Sequence, residues 1–133
     1  LSSCAIHPGT SQSHVPLADN RPILENQQTS VILITLIKKA EQQIRSKDLN
    51  AAFATLERAI GIDAQDSFVW HLMARIKLSQ GNLQQAENLA KKSNLLAVYD
   101  PSLQKKNWDI IAKSLDLQGK ISEAEAARRK VRE

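Results

Sequence analysis

The sequence has few of the residues that build disulfides, metal sites and aromatic cores. Its 133 residues include a single cysteine, Cys4, which excludes an internal disulfide and any metal site made of several cysteines. Only two Trp, one Tyr and two Phe are present. A core with so few rings must consist mainly of Leu, Ile and Ala, which suit close-packed helices better than a β-sheet. The composition therefore favours an all-α domain.

Long apolar runs and blocks of one charge are also missing. No stretch of about 18 apolar residues occurs, so the sequence predicts no transmembrane helix. The net charge of +4 is spread along the chain. Such a mildly basic surface suits an ordinary soluble domain or one that binds anionic partners, and both interpretations stay open. No basic run alternates with aromatic residues, so we expect no binding of nucleic acid.

No group of residues has the pattern of a catalytic or metal centre. The three histidines, His7, His14 and His71, are not paired with acids or with one another at the spacing of metal ligands. Four glycines are too few and too scattered for a phosphate loop, and serines such as Ser11 lack a neighbouring base. We therefore expect no enzymatic activity, no cofactor and no metal.

From Ser30 onward the sequence repeats itself at intervals of 34 and then 38 residues. Small residues recur at matched places, and small side chains allow two helices to approach closely. Glycine recurs at a position where it would permit the positive φ that ends a helix. The matching sets are Ala40, Ala74 and Ala112; Ala52, Ala86 and Ala124; Leu49, Leu83 and Ile121; Leu36, Trp70 and Trp108; Lys47, Gly81 and Gly119.

The apolar period and the boundary residues predict six helices. Their predicted ranges are 30–46, 49–61, 66–80, 83–97, 101–118 and 121–132. The two tryptophans are expected to fill gaps in the core. The expected helix caps are Asp48, Asn82, Asp100 followed by Pro101, and a capping box of Ser122 and Glu125.

The repeated pattern resembles the tetratricopeptide repeat. The segment from Trp70 to Ala86 reads W-x-x-M-A followed by G-x-L-x-x-A, and the segment from Trp108 to Ala124 has the same form. The resemblance implies antiparallel helix pairs stacked as a short right-handed superhelix with a concave face. Three repeats would occupy about 30–65, 66–100 and 101–133.

The N-terminus resembles the end of a bacterial lipoprotein signal peptide, in which Leu and two small residues precede a Cys. Leu1–Cys4 reads LSSC, and the resemblance implies that Cys4 is lipidated. Each buried CH₂ of an acyl chain contributes about 0.8 kcal/mol to membrane binding. Ala5 follows instead of Asp, which by the same resemblance indicates the periplasmic face of the outer membrane. Residues 1–29, rich in proline and without helical period, are predicted to be a lipobox remnant and flexible tether.

In the tetratricopeptide family the first helix of each pair lines the concave face. Carried over by position, this rule predicts a groove of mixed apolar and charged side chains that could hold an extended peptide or an acidic helix. Only Lys106 matches the family's clamp for chaperone C-termini, so we do not expect a chaperone partner. The predicted groove residues are Ile34, Ile37, Glu41, Ile44, Arg45, Phe68, His71, Arg75, Leu78, Lys106, Asp109, Lys113 and Asp116.

A closer resemblance is carried by the segment from Trp70 to Asn94, WHLMAR…QGN…QAE…KSN, which looks like small tetratricopeptide lipoproteins of gammaproteobacteria such as the LpoP type. That family implies a lipid-anchored adaptor that activates a periplasmic peptidoglycan synthase, penicillin-binding protein 1b. Two alternatives stay open. One is a pilotin-like assembly factor for a type IV pilus or secretion system, and the other is a periplasmic scaffold that self-associates through its C-terminal helix.

Overall fold

The computed structural model describes Gly9 and residues 21–133, and every regular element in that part of the chain is a helix. The helices pack as pairs in chain order, and the second helix of each pair contacts the first helix of the next. This arrangement confirms the predicted all-α stack of helix pairs. Among the described residues no helix is both long and apolar enough to cross a membrane. The helices are α1 (Arg21–Arg45), α2 (Leu49–Ile62), α3 (Ser67–Ser79), α4 (Leu83–Leu96), α5 (Pro101–Leu117) and α6 (Ile121–Arg132).

Helix α1 begins earlier than predicted, whereas the other five agree with their predicted bounds to about one residue. It starts at Arg21, so residues 21–29 are helical and do not belong to a flexible tether. Pro22 is tolerated there because the first turn of a helix has no amide hydrogen bond to lose. The Thr29 hydroxyl donates a 2.8 Å hydrogen bond to the carbonyl of Glu25 within the same segment. The remaining predicted tether, including Cys4, lies outside the described residues apart from Gly9.

The first helix of every repeat ends in the same backbone turn. Lys47, Gly81 and Gly119 have φ of 60°, 76° and 79°. In each repeat the amide of the following residue then donates a 2.9 Å hydrogen bond to the carbonyl five residues earlier. These are the features of a Schellman turn, which satisfies carbonyls at a helix C-terminus. The sequence alignment that matched Lys47 with the two glycines therefore placed a true structural repeat.

Helix capping agrees with the sequence at one predicted place and differs at three. The Asp100 carboxylate accepts a 3.0 Å hydrogen bond from the amide of Leu103, and Pro101 is the first residue of α5, as predicted. Asp48 and Asn82 lie at the predicted N-cap positions but make no side-chain hydrogen bond to the helix.

The predicted capping box is wrong. Helix α6 begins at Ile121 with Lys120 at its N-cap, so Ser122 already lies inside the first turn. The box required Ser122 itself to precede the helix. A cap that we did not predict is Asp66, whose carboxylate accepts a 3.1 Å hydrogen bond from the amide of Val69.

The core forms two clusters along the stack. One lies among α1, α2 and α3 around Leu56, Leu72 and Ile76, and the other lies among α3 to α6 around Ile111. Leu89 packs against both clusters and so joins them. The alanines that repeat in the sequence are all buried in these clusters, where their small side chains let the helix axes approach. They are Ala40, Ala52, Ala74, Ala86, Ala112 and Ala124.

The two tryptophans flank the core. Trp70 is half-buried against the first cluster and Trp108 against the second. The indole N–H of Trp70 donates a 2.8 Å hydrogen bond to the carbonyl of Ala64 in the preceding turn. Both residues therefore contribute to packing, as the sequence predicted.

Candidate partner-binding groove

The first helices of the three repeats line one groove of about 750 Å³. Helix α3 supplies its floor, because residues three or four apart lie on one face of a helix. Helix α1 contributes one residue at one wall, α5 contributes the other wall, and the end of α6 closes the groove. The lining residues are Glu41, Phe68, His71, Arg75, Leu78, Ser79, Lys105, Lys106, Asp109, Ile110, Lys113 and Val131.

Most of the predicted groove residues come together here. Those of α3 and most of those of α5 line the groove, and Asp116 lies in an adjoining pocket of about 350 Å³ with Leu78, Lys113 and Leu117. Their role in binding a partner stays a prediction. From the sequence set, the structure brings into the groove Glu41, Phe68, His71, Arg75, Leu78, Lys106, Asp109 and Lys113.

The first helix contributes less than predicted. Ile34, Ile37, Ile44 and Arg45 are not among the lining residues, and only Glu41 of α1 is. Ile37 and Ile44 instead pack, half-buried, against the first core cluster. The repeat spacing fixes a residue's position around its own helix but not the tilt of that helix against its neighbour.

Four lining residues were not predicted: Ser79, Lys105, Ile110 and Val131. Val131, near the end of α6, is half-buried at the groove. Ala124 of the same helix is fully buried in the second core cluster. Ile110 lies four residues after Lys106 on the same helix face, and this spacing could have identified Ile110 as a groove residue.

A chain of buried hydrogen bonds holds His71 at the groove floor. His71 is 5% exposed, and its Nδ1 lies 2.8 Å from Oδ1 of the fully buried Asn107. Nδ2 of Asn107 donates to the Ser93 hydroxyl over 2.7 Å, and that hydroxyl donates to the Ser67 carbonyl over 2.7 Å. Because these donors leave Oδ1 of Asn107 as an acceptor, Nδ1 of His71 must carry the proton. The network joins α3, α4 and α5.

The surroundings keep His71 uncharged near neutral pH. Burial lowers the pKa of His71, the hydrogen bond with Asn107 raises it in part, and the positive charges of Arg75 and Lys106 lower it again. The net pKa is below the usual 6.5. Nε2 is then a lone-pair acceptor, and the ring stacks on Phe68 with centroids 5.9 Å apart. His71 therefore offers the groove an acceptor in a rigid frame.

Most groove cations are available to a partner. Lys113 forms a 2.8 Å ion pair with Asp109. Arg75, Lys105 and Lys106, all exposed, form no ion pair with any residue in the described part of the chain. Residues 21–133 also contain no group of three or more His, Cys, Asp or Glu side chains that could hold a metal ion. The arrangement is suited to binding a peptide surface that carries acids.

Known proteins of the same architecture match the chain. The family model of the tetratricopeptide repeat matches residues 43–105. The globular C-terminal domain of LpoP from P. aeruginosa is 36% identical and superimposes with a TM-score of 0.73, covering 76% of this chain and 95% of that domain. The second tetratricopeptide-repeat domain of Spaghetti (RPAP3), solved with an HSP90 peptide, has a TM-score of 0.72 at 19% identity and covers 80% and 95% of the two chains. No curated protein sequence matches significantly.

The chain is therefore a tetratricopeptide-repeat protein of the kind that presents a groove between stacked helix pairs. Within that class it belongs to the family of the LpoP globular domain. The Spaghetti domain supports the fold alone.

Proposed function

We propose that this chain is a non-catalytic lipoprotein adaptor of the outer membrane that binds and activates a periplasmic peptidoglycan synthase, penicillin-binding protein 1b. The observation that carries the proposal is the groove itself, where apolar side chains lie beside cations that form no ion pair with the described residues. The 36% sequence identity to the LpoP globular domain supports it. A groove of mixed apolar and basic side chains suits a protein segment better than a small substrate.

The groove would supply both affinity and steering. Phe68, Leu78 and Ile110 offer apolar contact surface to a docked segment. Exposed Arg75 and Lys106 would raise the association rate with an acidic partner, because complementary charges steer encounter. We therefore expect the partner's docking segment to combine apolar and acidic residues.

A binding and activity assay tests this function. The chain should bind purified penicillin-binding protein 1b in biolayer interferometry and should increase its rate of glycan polymerisation. Ser79→Trp places a bulky ring on an exposed residue of the groove without disturbing the core, and we expect a roughly tenfold loss of affinity, equivalent to about 1.4 kcal/mol. Ser122→Trp, on an exposed position of α6 outside the groove, should bind as the parent does. Absence of binding by the unmodified chain would refute the proposal.

The membrane anchor is a separate part of the proposal. Its support is the resemblance of Leu1–Cys4 to a lipid-attachment site, because lipid on Cys4 would hold the domain at the outer membrane. Cys4→Ala, introduced into the gene at its own locus, should move the protein from the membrane fraction to the soluble periplasmic fraction. An unchanged distribution would show that another feature localises the protein.

Self-association is a second candidate function that one observation favours. Leu117 and Ile121 are 68% and 58% exposed on either side of the turn between α5 and α6. Two such neighbours form a small apolar surface that a second copy could cover. Light scattering should give a dimer mass that Leu117→Ser combined with Ile121→Ser returns to that of a monomer. A monomer mass for the parent chain would exclude this function.

A further inference from the structure

We propose that the groove contains a carboxylate-binding subsite formed by Arg75, Lys106 and Nε2 of His71, which accepts an acidic side chain of the partner. This inference rests on the proposed function only in taking the partner to be a protein. The three residues line one groove but come from two repeats, α3 and α5. A ligand at this place would therefore contact both repeats.

The charge balance of the groove favours an anion. Its lining includes four basic side chains and two acidic ones, an excess of two positive charges while His71 is neutral. Asp109 is already paired with Lys113 at 2.8 Å, so these two charges largely cancel. Glu41, on the α1 wall, is the remaining acid, and Lys105 adds to the positive side from α5. Arg75 and Lys106 thus lack an anionic partner within the described residues.

His71 supplies the hydrogen-bonding group of the subsite. Its Nδ1–H is committed to Asn107, so Nε2 is the nitrogen that can exchange a proton. Nε2 makes no hydrogen bond to any described residue. It is also absent from the fully buried polar atoms that lack a partner, so it retains contact with solvent. It therefore remains accessible from the groove that His71 lines.

Ligand binding should be coupled to proton uptake. Arg75 and Lys106 lie close enough to His71 to lower its pKa. A bound carboxylate would offset both positive charges, and Nε2 could then take a proton from solvent and donate it in a hydrogen bond to the carboxylate. Binding of an acid, but not of its amide, should raise the pKa of His71.

The test measures that pKa directly. The isotope-labelled chain is titrated with the blocked peptide Ac-EEEE-NH₂ at millimolar concentration, and the His71 ring resonances are followed against pH by NMR. We expect the peptide to raise the pKa of His71 by about one unit, as an opposite charge at close range does. The matched amide peptide Ac-QQQQ-NH₂ should leave it unchanged.

Variants locate the effect. Arg75→Gln combined with Lys106→Gln should abolish the peptide-dependent shift. The matched control, Arg58→Gln combined with Lys39→Gln, lies on exposed positions of α2 and α1 outside the groove and should retain it. All four substituted side chains are exposed, so the fold should persist, and far-UV circular dichroism checks this. Equal shifts with both peptides, no shift with Ac-EEEE-NH₂, or a shift that survives in the groove variant would each overturn the subsite.

The outcome is separable from that of the proposed function. If penicillin-binding protein 1b does not bind but the acid-specific shift occurs, the proposed partner is wrong and the subsite stands. If the synthase binds and the peptide causes no shift, the function stands and the subsite is wrong.

Discussion

Lys47 occupies a backbone conformation that glycine adopts at lower cost. Its φ of 60° matches that of the two glycines in the later repeats, and its side chain is exposed. A non-glycine residue in this region costs about 1–2 kcal/mol, partly offset by the greater freedom of glycine in the unfolded chain. Lys47→Gly should therefore stabilise the domain by about 0.5–1 kcal/mol in urea denaturation.

A lysine-to-glycine substitution inside a helix should lower stability instead of raising it, and it serves as the control. Lys39 is exposed in the middle of α1, where glycine costs about 1 kcal/mol relative to a good helix former. Lys39→Gly should destabilise by roughly that amount. If Lys47→Gly also lowered the stability of the domain, backbone strain at Lys47 would not be what reduces the stability of this turn.

His71 makes stability depend on pH in a defined direction. Burial lowers its pKa in the folded state below 6.5, so the unfolded chain binds more protons between the two pKa values. The contribution to stability is fully present above about 6.5 and falls as the pH drops from there toward the folded pKa. Urea denaturation from pH 8 to 5 should show this loss in the parent chain and a flatter curve in His71→Gln. His7 and His14 are retained in both, so equal slopes would assign the effect to them.

At the scale of whole helices, one buried carboxylate connects repeat two to repeat three. Glu87 of α4 is 4% exposed and accepts hydrogen bonds from Lys91 at 2.7 Å and from Gln118, after α5, at 3.1 Å. Burial raises the pKa of Glu87, but these hydrogen bonds and the charges of Lys91 and Lys120 outweigh it, and the net pKa is lowered. The carboxylate therefore supports the junction in its charged form.

The lowered pKa of Glu87 predicts a loss of stability in acid. Its contribution is present above the unfolded value of 4.5 and disappears as the pH falls through the folded pKa. Glu87→Gln should reduce stability at pH 7 by about 1–3 kcal/mol and should weaken the pH dependence below 4.5. Glu57→Gln, on an exposed position of α2, should change neither quantity. Parallel acid unfolding of Glu87→Gln and the parent would contradict this assignment.

The sequence predicted the bounds of helices that bury an apolar face, and it missed a helical segment at the start of α1. Apolar periodicity and the repeated alanines located α2 to α6 because those helices bury a face. Residues 25–29 of α1 bury no side chain fully, so the same signal was absent there although the segment is helical. The capping prediction also failed at Asp48 and Asn82, which have the right residue type and position but make no side-chain hydrogen bond to the helix.

The groove was predicted well on α3 and α5 and poorly on α1. Helix α3 packs between other pairs, and its predicted residues Phe68, His71, Arg75 and Leu78 all line the groove. On α1, Ile37 and Ile44 pack against the first core cluster and do not line the groove. The Asn107 and Ser93 network could not be read from the repeat spacing, because its hydrogen bonds join residues 14, 26 and 36 positions apart on three helices.

At the scale of the whole stack, Leu89 packs against both core clusters, and the buried network of His71, Asn107 and Ser93 joins α3, α4 and α5. In such an array, local stability follows the interface between adjacent repeats. Asn107→Ala would leave Nδ1–H of His71 and the Ser93 hydroxyl short of a partner, at a cost of about 2–4 kcal/mol. Hydrogen exchange should accelerate most in α5 and α6, with α1 and α2 least affected.

Ser114 provides a control within the same helix. It is also fully buried in α5, but its hydroxyl has no hydrogen-bond partner among the described residues. Removing an unpaired buried hydroxyl relieves a desolvation cost, so Ser114→Ala should be neutral or stabilising by up to about 1 kcal/mol and should not accelerate exchange. If Asn107→Ala and Ser114→Ala instead lost protection equally, burial volume rather than the hydrogen-bond network would hold the third repeat on the second.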